Sequence, residues 1–201
     1  MEILAHRGWW KAEEEKNTPT AFIRAMSAGV GLELDVRDQD GEIMIAHDAP
    51  LKDGTYVPFS DFLILWREYG RPKLAVNIKS DGLSLLLKDL FNAEDSASYF
   101  CFDMSVPETL QYLKNDLVIA DRLSEYERGT FDSENIWLDS FHSDWWIEAL
   151  SPEEESKAIF FVSPELHRRP YKPVWDYIKS NNSFSGICTD HVEEALGFFR
   201  E

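Results

Sequence analysis

Eight short apolar runs alternate with amphipathic stretches along the 201 residues of the chain, and this alternation constrains the fold more than any other feature. A helix that connects two strands usually makes them parallel neighbours through a right-handed crossover. We therefore predict an α/β protein, and eight strands suit a compact (β/α)8 TIM barrel. An open doubly wound sheet is the rival, but the G-x-G-x-x-G phosphate fingerprint of that fold is absent. The predicted strands are residues 3–5, 32–36, 74–78, 99–102, 117–120, 136–138, 158–162 and 185–188.

Several of the predicted helices begin at recognisable start signals. Thr18 and Pro19 supply a capping side chain and a first-turn proline, and Pro107 and Pro173 repeat the device. The predicted helices are residues 19–28, 59–69, 82–92, 106–114, 143–150, 172–180 and 191–200, with a short helical piece near 124–129.

Composition limits the partners that the protein can bind. The net charge is −17, from 37 acidic and 20 basic residues, and such a surface repels nucleic acid and anionic membranes. No apolar run approaches the roughly 18 residues of a membrane span, so we expect no stable membrane insertion. Because the first predicted strand starts almost at Met1, we also expect no leader and a cytoplasmic location.

The length suits one domain, residues 1–201, and leaves the oligomeric state open. Cys101 and Cys188 both lie in apolar runs, and we expect them to be buried core thiols rather than a disulfide, metal ligands or nucleophiles.

Polar side chains collect at or just past the ends of the predicted strands. In barrel enzymes the loops that follow the strands carry the active site. Because all eight strands show the pattern, we predict a functional rim at this end of the barrel. The polar positions are His6, Arg7, Glu33, Asp35, Asn77, Lys79, Asp103, Asp121, Arg122, Asp139, Ser140, Glu165, His167, Thr189 and Asp190.

Glu33 and Asp35 are the strongest candidates for metal ligands. Side chains alternate faces along a strand, so both carboxylates share one face while Leu32, Leu34 and Val36 share the other. Two adjacent carboxylates repel each other, and a hard divalent ion such as Mg2+ or Ca2+ is the usual means of neutralising them. The alternative is an edge strand whose acidic face lies in solvent.

Two histidines and an arginine in the same segment could supply proton transfer and anion binding for a reaction at a phosphodiester. Asp40-Gly41 predicts a hairpin turn whose return strand would bring His47 back toward Glu33. Because a histidine side chain can exchange a proton near neutral pH, His6 and His47 are candidates for the general base and the general acid, although His47 could be an ordinary loop residue. Arg7 matches phosphate geometry, and a structural salt bridge to a rim carboxylate is the alternative. Asp48 either orients His47 or forms an Asx turn.

These motifs occur in a fixed order, namely His6-Arg7-Gly8, Asn17-Thr18, Glu33-Leu34-Asp35-Val36, Asp40-Gly41 and His47-Asp48. In this order they resemble the glycerophosphodiester phosphodiesterase family. The wider superfamily includes the phosphatidylinositol-specific phospholipases C and the sphingomyelinase D toxins. The resemblance is most specific over residues 3–48 and continues more weakly along the rest of the chain. It implies a TIM barrel that acts on a small phosphodiester with one divalent cation.

The chain departs from the family pattern at two positions. Lys16 stands where the family has the glutamate of its E-N-T motif, and Asn77 stands where a glutamate usually precedes an apolar residue and a lysine. Asn77 still offers a carbonyl oxygen that suits Mg2+ or Ca2+, directly or through water. Lys79 keeps the family's lysine, and we expect it to stabilise charge on the phosphoryl oxygens.

Further polar and aromatic residues are candidates for recognising the substrate. For each polar residue a salt bridge or a helix cap is at least as good an interpretation. For the tryptophans, which could face a choline or sugar headgroup, a place in the core is the alternative. The polar candidates are Asp103, Arg122, Asp139, Glu165 and His167, and the aromatic ones are Trp9, Trp10, Trp145 and Trp146.

Together these observations predict a metal-dependent phosphodiesterase that hydrolyses a glycerophosphodiester-like small molecule to an alcohol and a phosphomonoester. Glu33, Asp35 and Asn77 would hold the cation, His6 and His47 would act as acid and base, and Arg7 and Lys79 would bind the phosphoryl oxygens. One alternative is a lyase that forms a cyclic phosphate. Another is a catalytically silent phosphodiester-binding barrel, which the changes at Lys16 and Asn77 favour.

Overall fold

A computed structural model describes residues 1–181 and 184–200 of the chain. Within these residues the fold is α/β, with mostly parallel strands, and each predicted strand has an observed counterpart. The strands are β1 (Glu2–His6), β2 (Gly31–Gln39), β3 (Glu42–Ile45), β4 (Val57–Pro58), β5 (Leu74–Ile78), β6 (Tyr99–Phe102), β7 (Ala120–Leu123), β8 (Asn135–Leu138), β9 (Ala158–Val162) and β10 (Gly186–Thr189).

The helices separate most of these strands, as the alternation predicted. Short 3-10 turns also occur at Glu13–Glu15 and Pro164–His167. None of the described helices is both long enough and apolar enough to cross a bilayer. The helices are α1 (Pro19–Ser27), α2 (Phe59–Glu68), α3 (Ser84–Leu90), α4 (Val106–Lys114), α5 (Trp146–Ala149), α6 (Pro152–Glu155), α7 (Lys172–Asn181) and α8 (Val192–Arg200).

The chain divides into two compact units, and the first consists of His6–Ile119. Its sheet has β2, β5 and β6 as parallel neighbours, while β3 pairs antiparallel with β2 and then with β4. α1 packs against β2, and its start is capped as predicted, because the Thr18 side chain accepts a hydrogen bond from Ala21 N. The predicted Asp40-Gly41 hairpin is confirmed, with both residues at positive φ, 52° and 87°.

The second unit consists of Met1–Ala5 and Ala120–Glu201. Its described strands are all parallel and lie in the order β1, β10, β9, β8, β7. Trp146 lies in the core, with its ring centroid 5.2 Å from that of Phe161 and 5.3 Å from that of Phe184. That residues 1–201 form a single domain stays a prediction.

Two helix predictions were wrong in this unit. No helix forms near 124–129, because the Ser124 hydroxyl accepts hydrogen bonds from Tyr126 N and Glu127 N and favours a turn. The helix predicted at 143–150 is reduced to the four residues of α5. Cys101 and Cys188 are buried free thiols, as predicted.

Gly8 shows how closely the loop after β1 packs against α1. Its φ is +87°, and a Cβ at this position would lie 2.8 Å from Ala21 Cβ. A side chain here therefore meets both a strained backbone and a packed helix.

We expect Gly8→Ala to lower the free energy of unfolding by at least about 1 kcal/mol more than Gly82→Ala. Gly82 has a nearly equal φ of +89°, but nothing lies within 4 Å of the position that a Cβ would occupy there, so it isolates the backbone strain. Urea unfolding of the two variants measures the difference. Equal losses would show that the contact with Ala21 costs nothing.

Candidate active site

The centre of the site is the pair of carboxylates on β2. Glu33 is 2% exposed and Asp35 is fully buried, and β2 lies between β3 and β5 rather than at an edge. The alternative of a solvent-facing acidic strand is therefore wrong. An unpaired carboxylate is costly to bury, so the surroundings of this pair have to compensate its charge.

Cationic side chains and a backbone amide approach the two carboxylates. Arg7 Nε lies 2.9 Å from Asp35 Oδ2, and Lys79 Nζ lies 3.4 Å from Asp35 Oδ1. The backbone N–H of Arg7 donates to Glu33 Oε2 over 3.2 Å, and His6 Nε2 lies 4.0 Å from the same oxygen. The structure therefore brings five of the predicted site residues into one cluster.

Local backbone geometry sets these positions. His6 is the last residue of β1, and Arg7 adopts a left-handed conformation with φ of 57°, which directs its amide toward Glu33. Asn77 and Asp35 are register partners on adjacent parallel strands, so their side chains share one face of the sheet. Lys79 follows β5, where its backbone N–H donates to Val36 O over 3.0 Å.

Burial changes the acidity of Glu33. Desolvation raises its pKa to about 7, and the neighbouring charge of Asp35 contributes to the rise, while His6, Arg7 and Lys79 oppose it. The surrounding positive charge therefore only partly offsets the cost of holding two buried carboxylates together. Further positive charge at this position would be stabilising.

Asn17 belongs to the same cluster, although the sequence analysis assigned it no role. Its Nδ2 donates to Asp35 Oδ2 over 2.9 Å, and its backbone N–H donates to Arg7 O over 2.9 Å. Because a carboxylate only accepts hydrogen bonds from such groups, this contact fixes the orientation of the amide. The position of Asn17 between the His6-Arg7-Gly8 motif and the helix start at Thr18 was the feature of the sequence that could have indicated a role in the site.

Three buried oxygens in this cluster accept no hydrogen bond from any described residue, although the ammonium of Lys79 lies 3.4 Å from the first of them: Asp35 Oδ1, Asn77 Oδ1 and Asn17 Oδ1. Buried acceptors of this kind are rare unless an ion, a water molecule or a substrate satisfies them. Glu33, Asp35 and Asn77 offer only oxygen donors, which are the type that Mg2+ and Ca2+ prefer, so the chemistry of these residues fits such a cation. Among residues 1–181 and 184–200, no group of three His, Cys, Asp or Glu side chains could hold a metal.

His47 lies past the return strand of the hairpin. Arg37 Nε donates to the carbonyl of His47 over 2.9 Å, and His47 Nδ1 lies 2.8 Å from Asp48 Oδ1, which supports the orienting role considered for Asp48. The imidazole is half exposed and lines a cleft of about 680 Å³ together with Arg7 and Asn17. The cleft therefore connects His47 to residues that contact Asp35.

The other candidate substrate-binding residues are Asp103, Arg122, Glu165 and His167. Asp103 directly follows β6 and has a positive φ of 67°. Arg122, Glu165 and His167 belong to the second unit. There Asp139 holds Arg122 Nη2 at 3.2 Å and His167 Nε2 at 2.5 Å.

Glu165 is also engaged within the second unit. Its carboxylate accepts short hydrogen bonds from the hydroxyls of Ser163 and Thr189, and the backbone N–H of Asp190 donates to it over 3.3 Å. These contacts fit the alternative interpretation of the rim residues as an internal polar network, and their role in substrate recognition stays a prediction.

Asp121 and Arg122 lie within β7, whereas the sequence placed them beyond the end of a strand at 117–120, and that prediction was wrong. The ladder with β8 starts at Ala120, and Asp121 Oδ2 accepts hydrogen bonds from the backbone of Thr130 and Phe131. Because the carboxylate is satisfied there, a strand can include this polar pair.

Comparisons with known proteins find the same fold in solved structures. The chain superposes with a TM-score of 0.72 on a glycerophosphodiester phosphodiesterase from Agrobacterium tumefaciens, at 16% identity over 99% of this chain and 98% of that one. For one from Parabacteroides distasonis the TM-score is 0.69, at 15% identity over 99% and 96% of the chains. A protein from Galdieria sulphuraria, provisionally assigned to the same enzymes, gives 0.71 at 17% identity over 100% and 98%.

No protein-family model matches the sequence, and the comparison with curated proteins finds no match either. At such low identity the structural likeness establishes the fold alone. The structural relatives are TIM barrels, so the predicted α/β TIM-barrel class is confirmed. These relatives carry the name of the family that the sequence motifs resemble, which supports that resemblance.

The raised pKa of Glu33 leads to a prediction about stability and pH in the metal-free protein. A carboxyl whose folded pKa exceeds its unfolded value contributes stability below about pH 4.5, and this is lost as the pH rises through about 7. We therefore compare the free energy of unfolding of Glu33→Gln with that of the unmodified protein. The difference between them should shift by about 2 kcal/mol in favour of Glu33→Gln as the pH rises from 5 to 8.

Urea unfolding in a chelator at the two pH values measures this gain. Glu153→Gln, at an exposed position, is the control and should show no relative change. If the free energies of unfolding of Glu33→Gln and of the unmodified protein change equally between pH 5 and pH 8, Glu33 does not carry the buried charge.

Proposed function

We propose that the chain is a phosphoric diester hydrolase, which cleaves a glycerophosphodiester-like small molecule into an alcohol and a phosphomonoester. The observation that carries this proposal is the buried pair Glu33 and Asp35, which lies against Arg7 and Lys79 and within 4.0 Å of His6. Acids that hold a cation, bases that move protons and cations that bind phosphate are the groups that this reaction needs.

Glu33, Asp35 and Asn77 would hold one divalent cation, Mg2+ or Ca2+. The two buried oxygens Asp35 Oδ1 and Asn77 Oδ1 support this assignment, as does the unfavourable charge on Glu33. When bound, the cation supplies positive charge that polarises the phosphoryl group and lowers the pKa of a coordinated hydroxyl.

The chain's own residues would then move the protons and balance the charge. One of His6 and His47 takes the proton from the attacking hydroxyl as its oxygen bonds to phosphorus. The other gives a proton to the leaving oxygen as its bond to phosphorus breaks. Asp48, 2.8 Å from His47 Nδ1, would hold that ring in one orientation.

Arg7 and Lys79 would stabilise the negative charge that develops on the non-bridging oxygens. Arg7 directs Nε toward Asp35, and the other two nitrogens of its guanidinium can donate to a phosphate. Lys79, also beside Asp35, contributes a point charge. Asp103, Arg122, Glu165 and His167 stay candidates for recognising the substrate, and the contacts of the last three also fit a structural role.

The other partners follow from charge. A net charge of −17 opposes nucleic acid and anionic membranes, so we propose a small-molecule diester as the substrate and a cytoplasmic location. Local positive charge at Arg7 and Lys79 would attract the phosphate against this background.

We expect turnover of at least one diester from a panel of glycerophosphocholine, glycerophosphoethanolamine, glycerophosphoinositol and an aryl phosphodiester, tested with Mg2+, Ca2+ or Mn2+. His6→Ala and Glu33→Ala should each lower kcat about 100-fold or more, because acid–base catalysis and charge stabilisation contribute that much. Release of the alcohol measures the rate.

His142→Ala is the matched control, since His142 is exposed and pairs with Tyr126 in the second unit. It should keep its activity. Activity that survives both His6→Ala and Glu33→Ala would refute the proposal.

A cyclic-phosphate-forming lyase remains the alternative chemistry within the superfamily. If the substrate's own adjacent hydroxyl attacks first, a diester without that hydroxyl should react at least about 100-fold more slowly, because an intramolecular nucleophile has a high effective concentration. 31P NMR of the products separates the two outcomes. A phosphomonoester as the end product supports the hydrolase, and an accumulating cyclic phosphate shows the lyase.

A silent phosphodiester-binding protein is the second candidate, and the change to Asn77 favours it because the donor set loses one negative charge. Binding of glycerophosphodiesters without turnover, across the same three metals, would identify it.

A further inference from the structure

Trp10 and Lys16 lie beside the proposed catalytic residues and have no role in the mechanism above. The indole N–H of Trp10 donates to the carbonyl of His6 over 3.1 Å, which attaches the ring to the end of β1. Lys16 Nζ lies 4.3 Å from the centre of that ring, in a cation–π contact, and 2.7 Å from Glu13 Oε2. The Lys16 side chain is only 20% exposed.

Lys16 lies over one face of the Trp10 ring and also lines the cleft. Lys16 and Glu13 line the cleft with Arg7 and His47, whereas Trp10 is not among its lining residues in the described part of the chain. An aromatic face next to a phosphate site is the usual means of binding a quaternary ammonium group. Here an internal cation already covers that face.

We propose that Lys16 excludes cationic headgroups from the cleft and that the leaving alcohol of the substrate is an uncharged polyol, such as inositol or glycerol. The proposal rests on the proposed function, whose substrate class it narrows. A choline group would have to displace the Lys16 ammonium from the face of the Trp10 ring.

The charge balance of the cleft favours a neutral alcohol over an anionic one. Glu13 already pairs with Lys16, so this part of the cleft has little net charge to offer a second anion. Polar residues also line the cleft. Thr55 and Tyr56 supply hydroxyls, and Tyr56 Oη accepts a hydrogen bond from Leu51 N over 2.9 Å, which leaves its proton available for a polyol.

Steady-state kinetics with glycerophosphoinositol and glycerophosphocholine test the proposal. The unmodified protein should have the higher kcat/KM for glycerophosphoinositol. Lys16→Ala opens the ring face and removes the charge, and it should raise kcat/KM for glycerophosphocholine about tenfold, while the value for glycerophosphoinositol changes little. Lys16→Arg should keep the original preference, because arginine retains the cation over the ring.

Lys11→Ala is the matched control, since Lys11 is an exposed lysine in the same loop, and it should leave the preference unchanged. An unmodified protein that prefers glycerophosphocholine, or a Lys16→Ala variant that shifts both substrates equally, overturns the proposal. In both cases the diesterase activity itself stands.

A binding experiment keeps the two proposals separate. In the His6→Ala background, calorimetry with the same two diesters should show that Lys16→Ala improves the Kd for glycerophosphocholine about tenfold and selectively. An unchanged ratio of Kd values overturns the role of Lys16. Absence of turnover in the unmodified protein overturns the proposed function instead, and the binding result still decides the headgroup.

Discussion

Two buried carboxylates side by side on one strand are the constraint on which the site depends. Glu33 and Asp35 share a face of β2 that solvent does not reach, and each charge raises the cost of the other. Arg7 and Lys79 lie against Asp35 and compensate part of its charge. The backbone N–H of Arg7 and the His6 ring lie near Glu33. Because the pKa of Glu33 still rises to about 7, the compensation is incomplete. An incomplete balance of this kind is typical of functional sites, where stability is given up for chemistry.

The same constraint explains why neighbouring elements are shaped as they are. Arg7 and Asn17 both have positive φ, 57° and 56°, and both contact Asp35. Such conformations cost free energy in residues other than glycine. Because both residues with this conformation contact Asp35, the backbone strain is associated with the buried carboxylate. Gly8 then lets the loop approach α1 closely. The cleft beside this loop gives a substrate access to Arg7, Asn17 and His47.

Much of the fold could be predicted from the sequence, because periodicity and capping are local signals. The strand alternation, the Thr18 cap and the Asp40-Gly41 turn are all found in the structure. The error at β7 has a non-local cause, since Asp121 is tolerated in a strand only because backbone amides nine and ten residues further on satisfy it. The role of Asn17 was missed for the same reason. Its contact with Asp35 spans 18 residues and depends on how α1 packs against β2.

The central claim is that Glu33, Asp35 and Asn77 form one cation site, and a calorimetric titration of Mn2+ tests it most directly. The account predicts one Mn2+ bound per chain, with binding lost in Asp35→Asn and kept in Asp139→Asn, a change at a buried carboxylate of the second unit. Equal binding by Asp35→Asn and the unmodified protein, or loss only in Asp139→Asn, would contradict the account.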